Sequence, residues 1–198
     1  MTTKSYILAL GFDQNAQVQE GQTNRTLQWG LLDVTDSVGA FLSSLPSVAD
    51  QTSIVNFNLY DLTPLNTPNA SPISVSSITF AMSYTDQDTS MTATPLSPNA
   101  FTWNSPSGLT PTTTASPVFD NQPLNTYMAG VTVSNTTGEF TIIQDGRFGV
   151  NFTVTITPTV GDPLNFSLDP EMIVGPGNGT EEGSWRPKAP PEPPAVHA

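Results

Sequence analysis

Val150, Phe152, Val154 and Ile156 alternate one for one with Asn151, Thr153, Thr155 and Thr157. A period of two puts the apolar set on one face of a pleated strand and the polar set on the other, whereas a helix would mix them. The pattern returns at Ile78, Phe80, Met82 and Tyr84, and again at Val55, Phe57 and Leu59, continuing toward Leu62. Weaker candidates cover 6–10, 26–32, 128–133, 140–143, 164–168 and 172–174. About nine short strands divided by turn residues predict an all-β chain folded as an antiparallel β-sandwich.

The turns have a mechanism. Gly138 closes the stretch 135–138 between Val133 and Phe140, and Gly146 follows Asp145 between Ile143 and Phe148. Each glycine can take the positive φ of a tight hairpin, so a meander is expected over about 128–168, with its last link at 160–163. One helix is expected over 36–45, where Val34, Val38, Phe41, Leu42 and Leu45 recur at helical spacing. Thr35 or Asp36 would cap it and Pro46 would stop it, while Gly39 costs about 1 kcal/mol relative to Ala. Between 85 and 125, Pro95, Pro98, Pro106, Pro111, Pro117 and Pro123 stand among many Ser and Thr. Brief strands at 91–94 and 101–103 are expected to interrupt this stretch, because long structureless loops are rare in compact domains.

From 175 to 198 the chain carries six Pro, four Gly and almost no aliphatic residues. Such a segment buries too little apolar surface to offset its ordering entropy. The organisation expected is a sandwich domain over 1–174 followed by a flexible, Pro-rich C-terminal tail over 175–198.

Composition then removes whole classes of function. Charged residues make up 11%, under half the roughly 25% of ordinary domains, and 28 Thr, 19 Ser and 14 Asn supply the polar surface instead. Five basic residues against seventeen acidic ones give a net charge of −12. No basic patch for nucleic acid or for an anionic membrane surface can be assembled from them. No apolar run reaches the 18 residues of a transmembrane helix, so no membrane insertion is expected. There is no Cys and one His, His197. A relay through a positioned imidazole and a zinc site built from several of them both lack their parts. The N-terminal apolar run, 6–10, is shorter than a signal peptide's apolar core, which leads us to expect a cytoplasmic protein. The wealth of Thr, Ser and Asn also suits a surface or particle-associated role.

The candidate site residues are few. Trp29 and Trp103, with Tyr60, Tyr84 and Tyr127, could stack sugars, with amides such as Asn104 binding hydroxyls. Asp86 and Asp88 are the pair that would suit calcium, joined by Asp33, Asp36, Asp61, Asp120 or Asp145 if loops converge, although no calcium-loop spacing is present. No other cofactor is expected. Lys188 precedes Pro190, Pro191, Pro193 and Pro194, a spacing that docks polyproline helices. Trp185 is costly to leave in water within a polar tail, so Trp185, Pro187, Pro190 and Pro191 are expected to contact a neighbour. Six Asn-x-Ser/Thr sites, at Asn24, Asn69, Asn135, Asn151, Asn165 and Asn178, modestly exceed the roughly three that this composition would give by chance. We read them as composition.

The stretch 166–174, with Asp169 and Pro170 ahead of the apolar Met172, Ile173 and Val174, resembles the closing segment of small bacterial β-sandwich families of the DP-EP type. The likeness covers about 126–174 and implies a sandwich, with no activity attached. Natural sheets guard exposed edges with charges, Lys above all, and this chain has few. The expectation is a non-enzymatic structural or interaction protein that self-associates into a homo-oligomer through sheet edges or faces, its tail on a neighbour. The alternative is a lectin-like carbohydrate-binding module, with calcium as its cation.

Overall fold

The computed structural model describes residues 2–33, 40–42, 51–67, 69–85, 96–97, 100–105, 109–116, 118–127, 131–132, 134–135, 138–139, 141–142, 146–174 and 186–187. In chain order these form β1 (Thr2–Phe12), β2 (Arg25–Thr26), β3 (Gln28–Asp33), β4 (Ala40–Leu42), β5 (Gln51–Asp61), α1 (Thr63–Asn66) and β6 (Val75–Thr85). Then come β7 (Leu96–Ser97), β8 (Ala100–Asn104), β9 (Thr112–Ala115), β10 (Pro123–Thr126), β11 (Val131–Thr132), β12 (Ser134–Asn135), β13 (Gly138–Glu139) and β14 (Thr141–Ile142). The last are β15 (Gly146–Pro158), β16 (Leu164–Leu168), β17 (Pro170–Val174) and β18 (Arg186–Pro187). The fold is all-β.

Two larger sheets face each other. The first runs β4-β3-β1-β5-β10-β9, with β11 and β14 also on β5 and β7 on β14. The second runs β18-β17-β15-β16-β2, with β6 on β15 and β8 on β6. Alternation aims one face of each sheet inward. Tyr6, Leu8, Leu10, Phe12, Val55, Phe57 and Leu59 of the first meet Ile78, Phe80, Met82, Val150, Phe152, Val154, Ile156 and Phe166 of the second in one buried cluster. Phe57 lies 5.1 Å from Phe80 and Phe12 lies 5.7 Å from Phe166, ring centre to ring centre, so aromatic pairs tie the sheets together. Each large apolar side chain buried in this way contributes about 1.5–3 kcal/mol.

Four expectations change. The sheets are mixed rather than antiparallel: β1 runs parallel to β5 from Thr2↔Gln51 to Phe12↔Asp61, and β16 parallel to β2. The chain builds β3 and β4 on one side of β1 and then crosses to lay β5 on the other, which sets β5 parallel to β1. The strand segments among the described residues number eighteen, because long strands are partnered by short pieces laid end to end. The expected helix over 36–45 is replaced, in its described part, by β4, which pairs with β3 at Leu31↔Leu42, Leu32↔Phe41 and Asp33↔Ala40. The open edge of β3 offered that backbone a ladder, and a short apolar run reads as either element. Helix forms instead at Thr63–Asn66, with Pro64 in its first turn.

The meander is half realised. β12 and β13 pair at Asn135↔Gly138, and β15 and β16 form a hairpin closing at Ile156↔Leu164 with Gly161 at φ +108°. Gly146, however, begins β15 of the second sheet while β14 belongs to the first, and Asp145 lies outside the described residues.

Candidate binding surface

The two outer faces differ in kind. On the first sheet, Ala9, Tyr60, Leu62, Phe119 and Leu124 form a second buried cluster, with Leu65 and Val118 packed on it. Its cover is the turn between β9 and β10, where Asp120 and Asn121 both hold φ near +54° and the Gln122 N–H donates to the Phe119 carbonyl at 3.3 Å. Small residues make room beneath. A Cβ on Gly30 would stand 2.7 Å from Val118 Cγ1, and one on Gly11 would collide with Leu62 and come within 2.9 Å of Phe119 Cζ.

Among the described residues nothing packs over the outer face of the second sheet, which is polar. Strand register aligns its outward residues in ranks across β8, β6, β15 and β16. One rank is Asn104, Thr79, Thr155 and Asn165; the next is Thr102, Ala81, Thr153 and Ser167; the third begins Ala100, Ser83, Asn151. Neighbouring positions stand about 4.8 Å apart across strands and about 6.7 Å apart along them. Within the first rank, the Thr79 hydroxyl donates to Asn104 Oδ1 and the Thr155 hydroxyl to Asn165 Oδ1, both at 2.9 Å. In the other two, Ala81 and Ala100 leave a shallow depression of about 430 Å³, lined also by Ser83, Thr102, Asn151 and Thr153. No lining residue is charged.

The two flanks of the molecule differ as well. On one, β16 and β17 lie beside β15, and among the described residues their outer edges pair with the two-residue strands β2 and β18, which contain Arg25 and Arg186. The Arg25 guanidinium also donates to the Ala16 carbonyl at 2.9 Å and lies over the Phe166 ring. The other flank is built from β7, β8 and β9, which follow one another in the chain. They lie within 89–119, where no Asp, Glu, Lys or Arg occurs. Among the described residues no strand pairs with the outer edge of β8 or of β9.

Among the described residues one acidic side chain is fully buried. Asp61 ends β5 on its inward parity and is fully covered. Its carboxylate accepts from the Thr63 N–H at 2.9 Å and from the Ile73 N–H at 3.2 Å, and the Thr63 hydroxyl accepts from the Gln14 N–H at 3.1 Å. Burial raises the Asp61 pKa above the ordinary carboxylate value despite these bonds, and the nearby Asp13 charge adds to the rise. The Tyr127 hydroxyl donates to the Ile73 carbonyl at 3.0 Å. Its pKa is pushed up to about 12 by burial and by the Asp61 charge. All of these bonds tie segment to segment at one end of the core, joining the loop after β1, the start of α1, the 69–74 segment and Tyr127.

The residues singled out from sequence are not gathered into one place. Trp29 on β3 and Trp103 on β8 are both partly buried and pack on the central core from inward-facing positions. Tyr60 and Tyr127 are buried. Asn104 does sit on the polar outer face, bonded to Thr79. Asp86, Asp88, Trp185, Pro190 and Pro191 lie outside the described residues. Pro187 pairs with Pro170 of its own chain. Among the described residues no three His, Cys, Asp or Glu side chains gather as metal ligands, and no helix is long and apolar enough to cross a membrane.

Two features escaped the sequence reading. An acid at an inward position followed by Thr63 and Pro64 is a legible capping signal for the Asp61 node. The polar ranks could not be read, because register between distant strands decides which residues become neighbours. No family model, curated protein or solved structure matches the chain.

Proposed function

We propose that this is a non-catalytic interaction protein that associates with copies of itself through the flank formed by β7, β8 and β9. The observation that carries the reading is that β7, β8 and β9, all drawn from the uncharged run 89–119, are end strands of their sheets among the described residues. An edge strand presents unpaired N–H and C=O groups, and natural proteins block such edges with charge or with Pro. Here Pro98 and Pro106 flank β8, and Pro111 and Pro117 flank β9. They confine pairing to four or five residues without preventing it. Short contacts of this kind favour small assemblies over runaway fibres. The lack of Cys and the lone His197 argue against nucleophilic or imidazole chemistry in the same molecule.

Sedimentation velocity across a wide concentration range tests the reading. The wild type should shift from monomer toward dimer or larger species, and Asn104→Lys with Thr113→Lys should hold it monomeric at unchanged melting temperature. A wild type that stays monomeric throughout overturns it.

A further inference from the structure

We propose that the depression on the outer face of the second sheet is a binding site for a neutral oligosaccharide, a function separate from the self-association flank. Ser83, Thr102, Asn151 and Thr153 ring the depression, and their side chains hydrogen-bond to no described residue. Each hydroxyl offers one donor and two acceptor lone pairs, and an amide offers two donors beside its acceptor oxygen. At strand spacing these four groups alternate with Ala81 and Ala100, so hydroxyls, an amide and methyl groups share one shallow surface. A pyranose ring has the matching form, an apolar ring face edged with hydroxyls.

The volume, about 430 Å³, falls in the usual range of small-ligand sites, about 300–1,000 Å³. The lining joins Ala81, Ala100 and Met82 to four polar side chains, which suits a ligand with both apolar and hydroxyl-bearing surface. Charge selects among polar ones: a lining without cations, on a chain of net charge −12, disfavours anionic glycans, phosphates and nucleic acid. The first rank adds rigidity, since the Thr79–Asn104 and Thr155–Asn165 bonds hold its side chains beside the depression. Because the ranks run across four strands, an extended chain of sugar units can continue over Thr153 toward Ser167.

The test is affinity electrophoresis through gels holding a neutral β-glucan, a xylan or a mannan, at low and high salt. The wild-type protein is used at a concentration at which it sediments as a monomer, so that self-association does not contribute. At least one polymer should retard this protein, equally at both salt levels, and adding Thr102→Val and Thr153→Val should weaken retention at least tenfold without moving the melting temperature. Both substitutions keep side-chain shape and remove only the hydroxyls. Retardation by none of the polymers, or retention unchanged by the two valines, overturns the proposal. So does salt-sensitive retention, which would indicate an ionic contact elsewhere. If the two valines in the wild-type background abolish dimers instead, the face binds a second copy, and both the saccharide assignment and the placing of self-association on the flank fail.

Discussion

Asp61 gives the sharpest test of how the fold is held together. Asp61→Ala removes the acceptor of two backbone donors, the N–H groups of Thr63 and Ile73, in a place without solvent. A buried donor left unsatisfied costs about 1–3 kcal/mol, so the pair gives about 2–6 kcal/mol. Part of that is offset because a carboxylate no longer has to be desolvated, and about 3 kcal/mol is the central expectation. For a chain of this size 1 kcal/mol corresponds to about 2–4 °C, which puts the melting temperature about 6–12 °C lower. Asp61→Asn keeps one oxygen for one donor and should fall about half as far. The folded-state pKa of Asp61 is raised, so folding takes up a proton at pH values between the ordinary carboxylate value and the raised one. Stability contributed by this group therefore declines as pH rises through that window. Differential scanning calorimetry from pH 4 to pH 8 should show the wild type's advantage over Asp61→Asn shrinking as pH rises. An Asp61→Ala protein melting within a degree of wild type, or an advantage that grows with pH, would refute this account.

Other expectations concern neighbouring parts of the molecule. Tyr127→Phe strands the Ile73 carbonyl and should cost about 0.5–1.5 kcal/mol; in the wild type, spectrophotometric titration should find one tyrosine ionising near pH 12. Gly30→Ala pushes a methyl against the stiff Val118 side chain, so chemical denaturation should show a loss of about 1–3 kcal/mol, with recovery in Gly30→Ala, Val118→Ala. Phe80→Ala opens a hole between the sheets beside Phe57 and Phe152 and should cost about 3–5 kcal/mol in urea unfolding.

Much of the core was legible because alternation is a local property. Val150 to Ile156, Ile78 to Met82 and Val55 to Leu59 announce their buried faces by period alone, and the structure buries them. The absence of charge from 89 to 119 and the want of Cys are likewise properties of the chain, and they narrow its chemistry before any folding. Partnership was not legible. Whether Phe41 continues a helix or joins β3, whether β1 meets β5 in parallel, and whether Trp103 faces solvent or core depend on contacts between residues far apart in the chain. The same holds for the surface with the most to offer a ligand. Thr102, Ser83, Asn151 and Thr153 are scattered over about seventy residues, and only the registers of β8, β6 and β15 bring them to one depression. Periodicity sets which way each side chain points; hydrogen-bonded pairing between distant strands sets what it points beside.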